Sequence, residues 1–139
     1  MASEWRVNTL KDASGNNSIA TSFVASGSAK AWVNLDGTTT FNDADDEVKD
    51  SFNLSSAVDT STAGNHTGNY TSSMSSVNYV CTAEGGTKSA TNENMFLCGH
   101  TKLTGSTTVS NLSDAGGGAD RNIHNWVIHG DLAWVKQQN

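Results

Sequence analysis

Ile123–His129 (IHNWVIH) is the strongest strand signal in the sequence, and a second short apolar run follows it at Leu132–Val135. Alternating or apolar runs of similar length precede it along the chain, separated by Asp-Gly and Gly-rich turn signals. They lie at Trp5–Leu10, Lys30–Leu35, Glu47–Ser56, Val77–Ala83, Met95–Gly99 and Thr107–Leu112. Several short strands at this spacing predict an all-β fold, either an antiparallel β-sandwich or a small barrel.

The composition supports the same fold class. The chain has 139 residues, enough for one domain, and only 35% of them are hydrophobic. Gly, Ser, Thr and Asn make up 45%, which is typical of short strands joined by turns. A net charge of −6 argues against nucleic acid as a partner, because the phosphate backbone would repel it. No stretch approaches the ~20 apolar residues of a membrane helix, so we expect no membrane insertion.

The first 28 residues differ from the rest. The polar sequence of Lys11–Ser18 predicts a loop. Thr21–Ser28 has only a weak hydrophobic pattern, and no helix-length stretch shows helical periodicity. We therefore predict an extended N-terminal arm or leader at 1–28, followed by a β domain at 29–139. The alternative is that the arm forms the first edge hairpin of the same domain.

Large apolar side chains are scarce. Leu, Ile, Val and Phe together make up 17% of the chain, a lean supply for a self-sufficient core. Small chains supplement such cores with disulfides, metals or association. Of these routes, the sequence favours self-association.

The two cysteines, Cys81 and Cys98, have no CxxC spacing, and the N-terminus has no apolar secretion segment. This pattern predicts two reduced thiols. Two alternatives stay open. One is a cross-strand disulfide, and the other is a zinc site that would require His100 and a fourth ligand.

The titratable residues form no catalytic pattern. His66 falls in an Asn/Gly-rich stretch that predicts a loop, and His100 lies beside an expected strand end. His124 and His129 are five positions apart in one strand, so they should face opposite sides of the sheet. We expect His124 and His129 at the surface or at an interface. Asp43–Glu47 predicts a solvated acidic loop. The sequence thus predicts no enzyme, no metal site and no cofactor.

A specific resemblance begins at Ala29–Gly37 (AKAWVNLDG). This nine-residue stretch resembles the Ala-Lys-Ala-Trp-Val-Asn-Phe-Asp/Asn-Gly signature of a module found in tail-fibre and other virion structural proteins of tailed bacteriophages. Further segments resemble that module in the same order along the chain. They are Asp50–Ser56 (DSFNLSS), Gly68–Thr71 (GNYT), Asn78–Val80 (NYV) and Ile128–Asp131 (IHGD), and Val7–Asn16 resembles the leader that often precedes it.

The resemblance implies a β-rich structural subunit on the tail or capsid exterior, either short and fibre-like or decorating. It would be assembled in the host cytoplasm and localised to the virion. The implied partners are copies of itself, as a homotrimer, and other virion proteins, with a host-surface glycan as a further candidate. A different class of function stays open: a monomeric glycan- or ligand-binding β module.

Two sets of residues are candidates for these contacts. The anchoring or oligomer contacts would come from Trp5, Val7 and Leu10 in the arm. The family core or interface would include Trp32, Phe52, Tyr79 and Trp126.

Overall fold

The computed structural model describes residues 7–15, 17–38, 47–60, 62–86, 95–112 and 117–133. These residues form ten strands and one short helix, all strand pairs being antiparallel. In chain order they are β1 (Thr9–Lys11), β2 (Ser18–Ala20), α1 (Thr21–Gly27), β3 (Ala29–Leu35), β4 (Val48–Phe52), β5 (Leu54–Asp59), β6 (Asn65–Tyr70), β7 (Val80–Gly86), β8 (Met95–Lys102), β9 (Ser106–Leu112) and β10 (Ile123–His129).

Two four-stranded sheets make up the body of the protein. The first sheet has the strand order β4-β3-β10-β7, and the second has the order β5-β6-β9-β8. One hydrophobic core draws residues from both sheets, so the fold is an antiparallel β-sandwich, and the described strands close no barrel. The all-β prediction is confirmed. Its strongest signal, Ile123–His129, is a central strand that pairs with β3 and β7.

The core follows the period-2 alternation of the central strands. Ala31, Val33 and Leu35 on β3 are all buried, as are Trp126 and Ile128 on β10. They meet side chains of the second sheet and its loops, namely Tyr70, Met74, Tyr79 and Val109. The alternation seen in the sequence at 31, 33 and 35 therefore marks the inward face, as the pleat requires.

The predicted continuous strand at Glu47–Ser56 is two strands in different sheets. β4 ends at Phe52, β5 begins at Leu54, and Asn53 between them has φ 56°. The Asn53 amide donates to the carbonyl of Lys30 at 2.9 Å, and its Oδ1 accepts from the Ser72 N–H at 2.7 Å. Asn tolerates this left-handed conformation better than most residues, and such bends let a chain pass between sheets.

The N-terminal segment, residues 7–28, stands apart from both sheets. β1 and β2 pair only with each other among the described strands, and the seven-residue α1 follows them. Neither β1 nor α1 contains a buried residue. The Lys30 ammonium links α1 to β3, because it donates to the carbonyl of Ala25 and to Ser28 Oγ. The sequence did not indicate α1, which lacks both an apolar stripe and an N-cap hydrogen bond.

The prediction of two reduced cysteines is wrong. Cys81, on β7, is disulfide-bonded, and the chain contains two cysteines, at 81 and 98. β7 and β8 are edge strands of different sheets and lie against each other. The proximity of β7 and β8 arises only in the folded chain. The cysteine spacing and the N-terminal sequence, on which the prediction rested, contain no information about it.

Within the residues described, no helix is both long and apolar enough to cross a membrane.

Candidate functional site

Two histidines lie face to edge between the sheets. His66 comes from β6 and His124 from β10, and both side chains are fully buried (0% exposed). Their ring centroids are 4.4 Å apart with the planes at 78°, and Trp126 packs on His124 at 5.5 Å. The predictions of a loop position for His66 and of a surface or interface position for His124 are wrong. On β6 the inward positions hold His66, Gly68 and Tyr70, so their alternation carries little hydrophobic signal.

Both imidazoles are held in the neutral form. Burial, and secondarily the neighbouring His66, lowers the pKa of His124 to about 3. Burial also lowers the pKa of His66, although the charges of Asp59 and Asp120 and the adjacent Gly37 backbone act in the opposite direction. The Val109 backbone acts in the opposite direction on the pKa of His124, but burial dominates. The pair is therefore uncharged at neutral pH, and a neutral imidazole is the form that binds metal ions.

The turn at Gly37 closes over His66. The Gly37 N–H donates to the carbonyl of Arg121 at 2.8 Å. A Cβ at this position would lie 2.8 Å from His66 Cε1, so the close approach requires glycine. The Asp36-Gly37 turn of the sequence thus covers the buried ring and links β3 to the segment before β10.

Two carboxylates reach His66 from the surface. Asp59, the last residue of β5, is the cross-strand partner of His66, and its Oδ1 lies 3.9 Å from His66 Nε2. Asp120 lies just before β10, and its Oδ1 accepts a hydrogen bond from the Gly64 N–H at 2.6 Å. One potential ligand atom from each of the three residues lies within 4.8 Å of the others. We call this group the Asp59–His66–Asp120 cluster.

Sequence reasoning missed this cluster because its members come from three separated segments. Only the β5–β6 register and the return of the chain to β10 bring them together. The predicted acidic loop at Asp43–Glu47 does not contribute to it: residues 43–46 lie outside the described residues, and Glu47 is buried beside β4.

A second polar group in the interior is structural. The hydroxyls of Tyr70 and Tyr79 both hydrogen-bond to Thr107 Oγ1, and Tyr79 also donates to the carbonyls of Leu103 and Ser106, each at 3.0 Å. Burial raises the pKa of Tyr70 well above its usual range. These hydroxyls satisfy one another inside the core, which is what a buried polar network requires to be stable.

The residues singled out from the sequence have different environments. Tyr79 and Trp126 are core residues, whereas Trp32 is half-buried and lies directly opposite Phe52, which is 52% exposed. Val7 and Leu10 are also exposed, and Trp5 lies outside the described residues. None of the six that the structure describes belongs to the Asp59–His66–Asp120 cluster.

Exposed apolar side chains concentrate in the N-terminal segment. Leu10 and Ile19 are cross-strand partners in the β1–β2 ribbon, each about half exposed, and Phe23 of α1 is 73% exposed. Beside α1, a groove of about 460 Å³ lies between its last turn, the start of β3 and residues 131–133, with Phe52 among its walls. This part of the surface is suited to contact with another molecule, because it leaves apolar area in water.

In comparisons with known proteins, no family model, curated protein or solved structure matches this chain.

Proposed function

We propose that the chain is a structural subunit of a phage particle, a short fibre-like or decorating protein on the tail or capsid exterior. It assembles with copies of itself, as a homotrimer, and with other virion proteins. The observation that carries the proposal is the N-terminal segment, which leaves Phe23 and the Leu10–Ile19 pair exposed while α1 buries nothing. The AKAWVNLDG resemblance at 29–37 supports the virion setting.

The short helix is the strongest physical support for association. Isolated helices shorter than about 12–15 residues are marginal in water, and most helices gain their stability from packing an apolar face. α1 has seven residues, no side-chain N-cap and no buried residue. Burying the Phe23 side chain against a sister chain would contribute about 1.5–3 kcal/mol. A partner would thus supply the packing that the single chain lacks.

The placement of the titratable groups supports a structural role over an enzymatic one. His124, whose pKa is lowered to about 3, is fully buried between the sheets. The Tyr70 hydroxyl is occupied by Thr107 in the same interior. Groups that act on a substrate must reach it, whereas these contact the core.

A monomeric glycan- or ligand-binding module is the second candidate. The groove beside α1 favours it, because about 460 Å³ is within the usual size range of small-molecule sites. Phe52, which is 52% exposed, lines this groove, and the exposed Asp131 offers a carboxylate. A binding module of this kind would work as a single chain, so the oligomeric state separates the two candidates.

Sedimentation equilibrium tests the assembly. At micromolar concentration we expect three times the 14.6 kDa chain mass. Phe23→Ser should shift the protein toward monomer, because it removes the most exposed of the large apolar side chains described. Leu103→Ser is the matched control, since Leu103 is 55% exposed on the sandwich, and it should remain trimeric. A monomeric wild-type chain, or equal dissociation of the two variants, would contradict the proposal.

Antibody labelling of purified particles in the electron microscope tests the virion role. We expect the label on the tail or capsid exterior. Deleting residues 1–15 should abolish attachment to the particle and leave the β signal in circular dichroism, since the two sheets begin at β3. Particles without the label, or a truncated protein that still attaches, would show that the role or the anchoring segment is wrong.

A further inference from the structure

We propose that the Asp59–His66–Asp120 cluster is a binding site for a divalent transition-metal ion of the Zn²⁺ type. The three residues offer one imidazole nitrogen and two carboxylate oxygens, all within 4.8 Å of one another. Zinc bonds of about 2.0–2.2 Å place neighbouring ligand atoms roughly 3.4 Å apart in a tetrahedral site. The 3.9 Å between His66 Nε2 and Asp59 Oδ1 is close to that separation.

The imidazole is the fixed member of the cluster. His66 is fully buried, packs on the His124 ring and is covered by the Gly37 turn, where a Cβ would lie 2.8 Å from His66 Cε1. A ring held this firmly loses little further entropy when it binds an ion.

One carboxylate is positioned in advance as well. Asp120 Oδ1 accepts the Gly64 N–H, and the Gly64 backbone is held at φ +77° with Asn111 and Ala119 packed around it. The Gly64 carbonyl in turn accepts the Asn111 N–H at 2.7 Å. Asp59 is anchored through its register opposite His66, while its carboxylate is exposed and can rotate by the short distance that coordination requires.

The charge and the chemical type of the ligands favour one class of cation. Two carboxylates beside a neutral imidazole carry two negative charges, which a divalent cation neutralises. Imidazole nitrogen favours ions such as Zn²⁺, whereas Ca²⁺ and Mg²⁺ prefer shells made of oxygen alone. Because Asp59 and Asp120 are exposed, the remaining coordination positions would face solvent and be open to water.

Binding would connect the two layers of the sandwich. Asp59 and His66 belong to the second sheet, and Asp120 leads into β10 of the first sheet. An ion held by all three therefore ties the sheets together at this end. Since it binds only the folded chain, it raises the melting temperature in proportion to the logarithm of its concentration.

The test uses tag-free, full-length protein stripped with EDTA and desalted. In titration calorimetry with ZnCl₂ we expect one ion per chain, a higher Tm with Zn²⁺, and no comparable shift with Ca²⁺. Asp120→Asn keeps an oxygen for the Gly64 N–H but removes the charge, and it should weaken Zn²⁺ binding at least tenfold. Substituting Co²⁺ should produce visible absorption bands that this variant reduces.

Asp131→Asn is the matched control, because Asp131 is an exposed carboxylate beyond the opposite end of β10. It should bind Zn²⁺ like the wild type. The carboxylate variants come before any change at the buried His66, which could prevent folding. The proposal is overturned if wild-type protein gives neither a stoichiometric heat nor a Tm shift with Zn²⁺, or if Asp131→Asn weakens binding as much as Asp120→Asn.

Discussion

The sandwich and the N-terminal segment differ in the side chains that they bury. In the sandwich even polar residues are buried, and His66, His124, Thr107 and Asn111 are all inaccessible to solvent. In residues 7–28 even large apolar residues such as Phe23 are exposed. A chain with few apolar side chains would gain most by burying each of them, so the exposed ones in the N-terminal segment are what the proposed contacts with sister chains would cover.

The comparison also separates two sources of stability. The sandwich combines a small apolar core with a buried hydroxyl network, a disulfide at Cys81 and the histidine pair. The N-terminal segment has a three-residue strand pair, local hydrogen bonds and the Lys30 link to α1. Changes in the sandwich should therefore alter the free energy of unfolding of the chain, and changes in residues 7–28 that leave the exposed apolar side chains in place should alter it little.

Acid gives the largest expected effect, and it acts on the sandwich. The pKa of His124 is about 3 in the folded protein and near 6.5 in the unfolded chain. As pH falls below 6.5 the unfolded chain binds a proton that the folded protein does not, so stability is lost between pH 6.5 and 3. At pH 5 the loss from His124 is about 2 kcal/mol relative to pH 7. Urea unfolding at both pH values, with EDTA present, measures it.

Direct titration of the imidazoles checks the cause of this loss. In ¹⁵N NMR, the His124 ring of the folded protein should stay neutral between pH 7 and pH 5. His124→Gln should reduce the slope of stability against pH, whatever its effect on stability at pH 7. A His124 ring that titrates near pH 6.5 would mean that the pair is not held as described.

The part of the fold that follows from sequence is the part in which apolar residues alternate. Ala31, Val33 and Leu35 mark the inward face of β3, and Ile123–His129 is a central strand. The alternation of apolar residues does not predict burial where a register shift or a bend changes the direction of the side chains. Phe52 has the parity of Val48 yet is exposed, because the β3–β4 register shifts between Asn34 and Leu35 and Asn53 then turns the chain into the other sheet.

The candidate site was beyond sequence reasoning for a related reason. Asp59, His66 and Asp120 share no motif spacing, and each has an unremarkable local context of Thr, Asn or Gly. Their proximity depends on the β5–β6 pairing and on a loop packed against Gly64. Pairing between distant segments is a tertiary property, and short-range patterns do not encode it.

A glycine substitution in the sandwich gives a smaller effect than acid. A Cβ at Gly68 would lie 2.8 Å from Trp126 Cζ2 and 2.9 Å from Leu54 Cδ1, so Gly68→Ala forces two core side chains to move. Overpacking of this kind costs about 1–3 kcal/mol. The better strand propensity of alanine offsets part of that cost, and we expect a net loss of about 1–2 kcal/mol in urea unfolding.

The same substitution in the N-terminal segment is the control. Gly27, the last residue of α1, has nothing within 4 Å of a Cβ, so Gly27→Ala meets no obstacle. Alanine lowers the conformational entropy of the unfolded chain and has a higher helix propensity than glycine. Together these effects stabilise α1 by about 0.4–1 kcal/mol. Because α1 contributes little to the sandwich, global unfolding should hardly change, and helicity in circular dichroism should rise slightly. A loss at Gly27→Ala equal to that at Gly68→Ala would mean that residues 7–28 pack as tightly as the core, and the contrast between the two regions would fail.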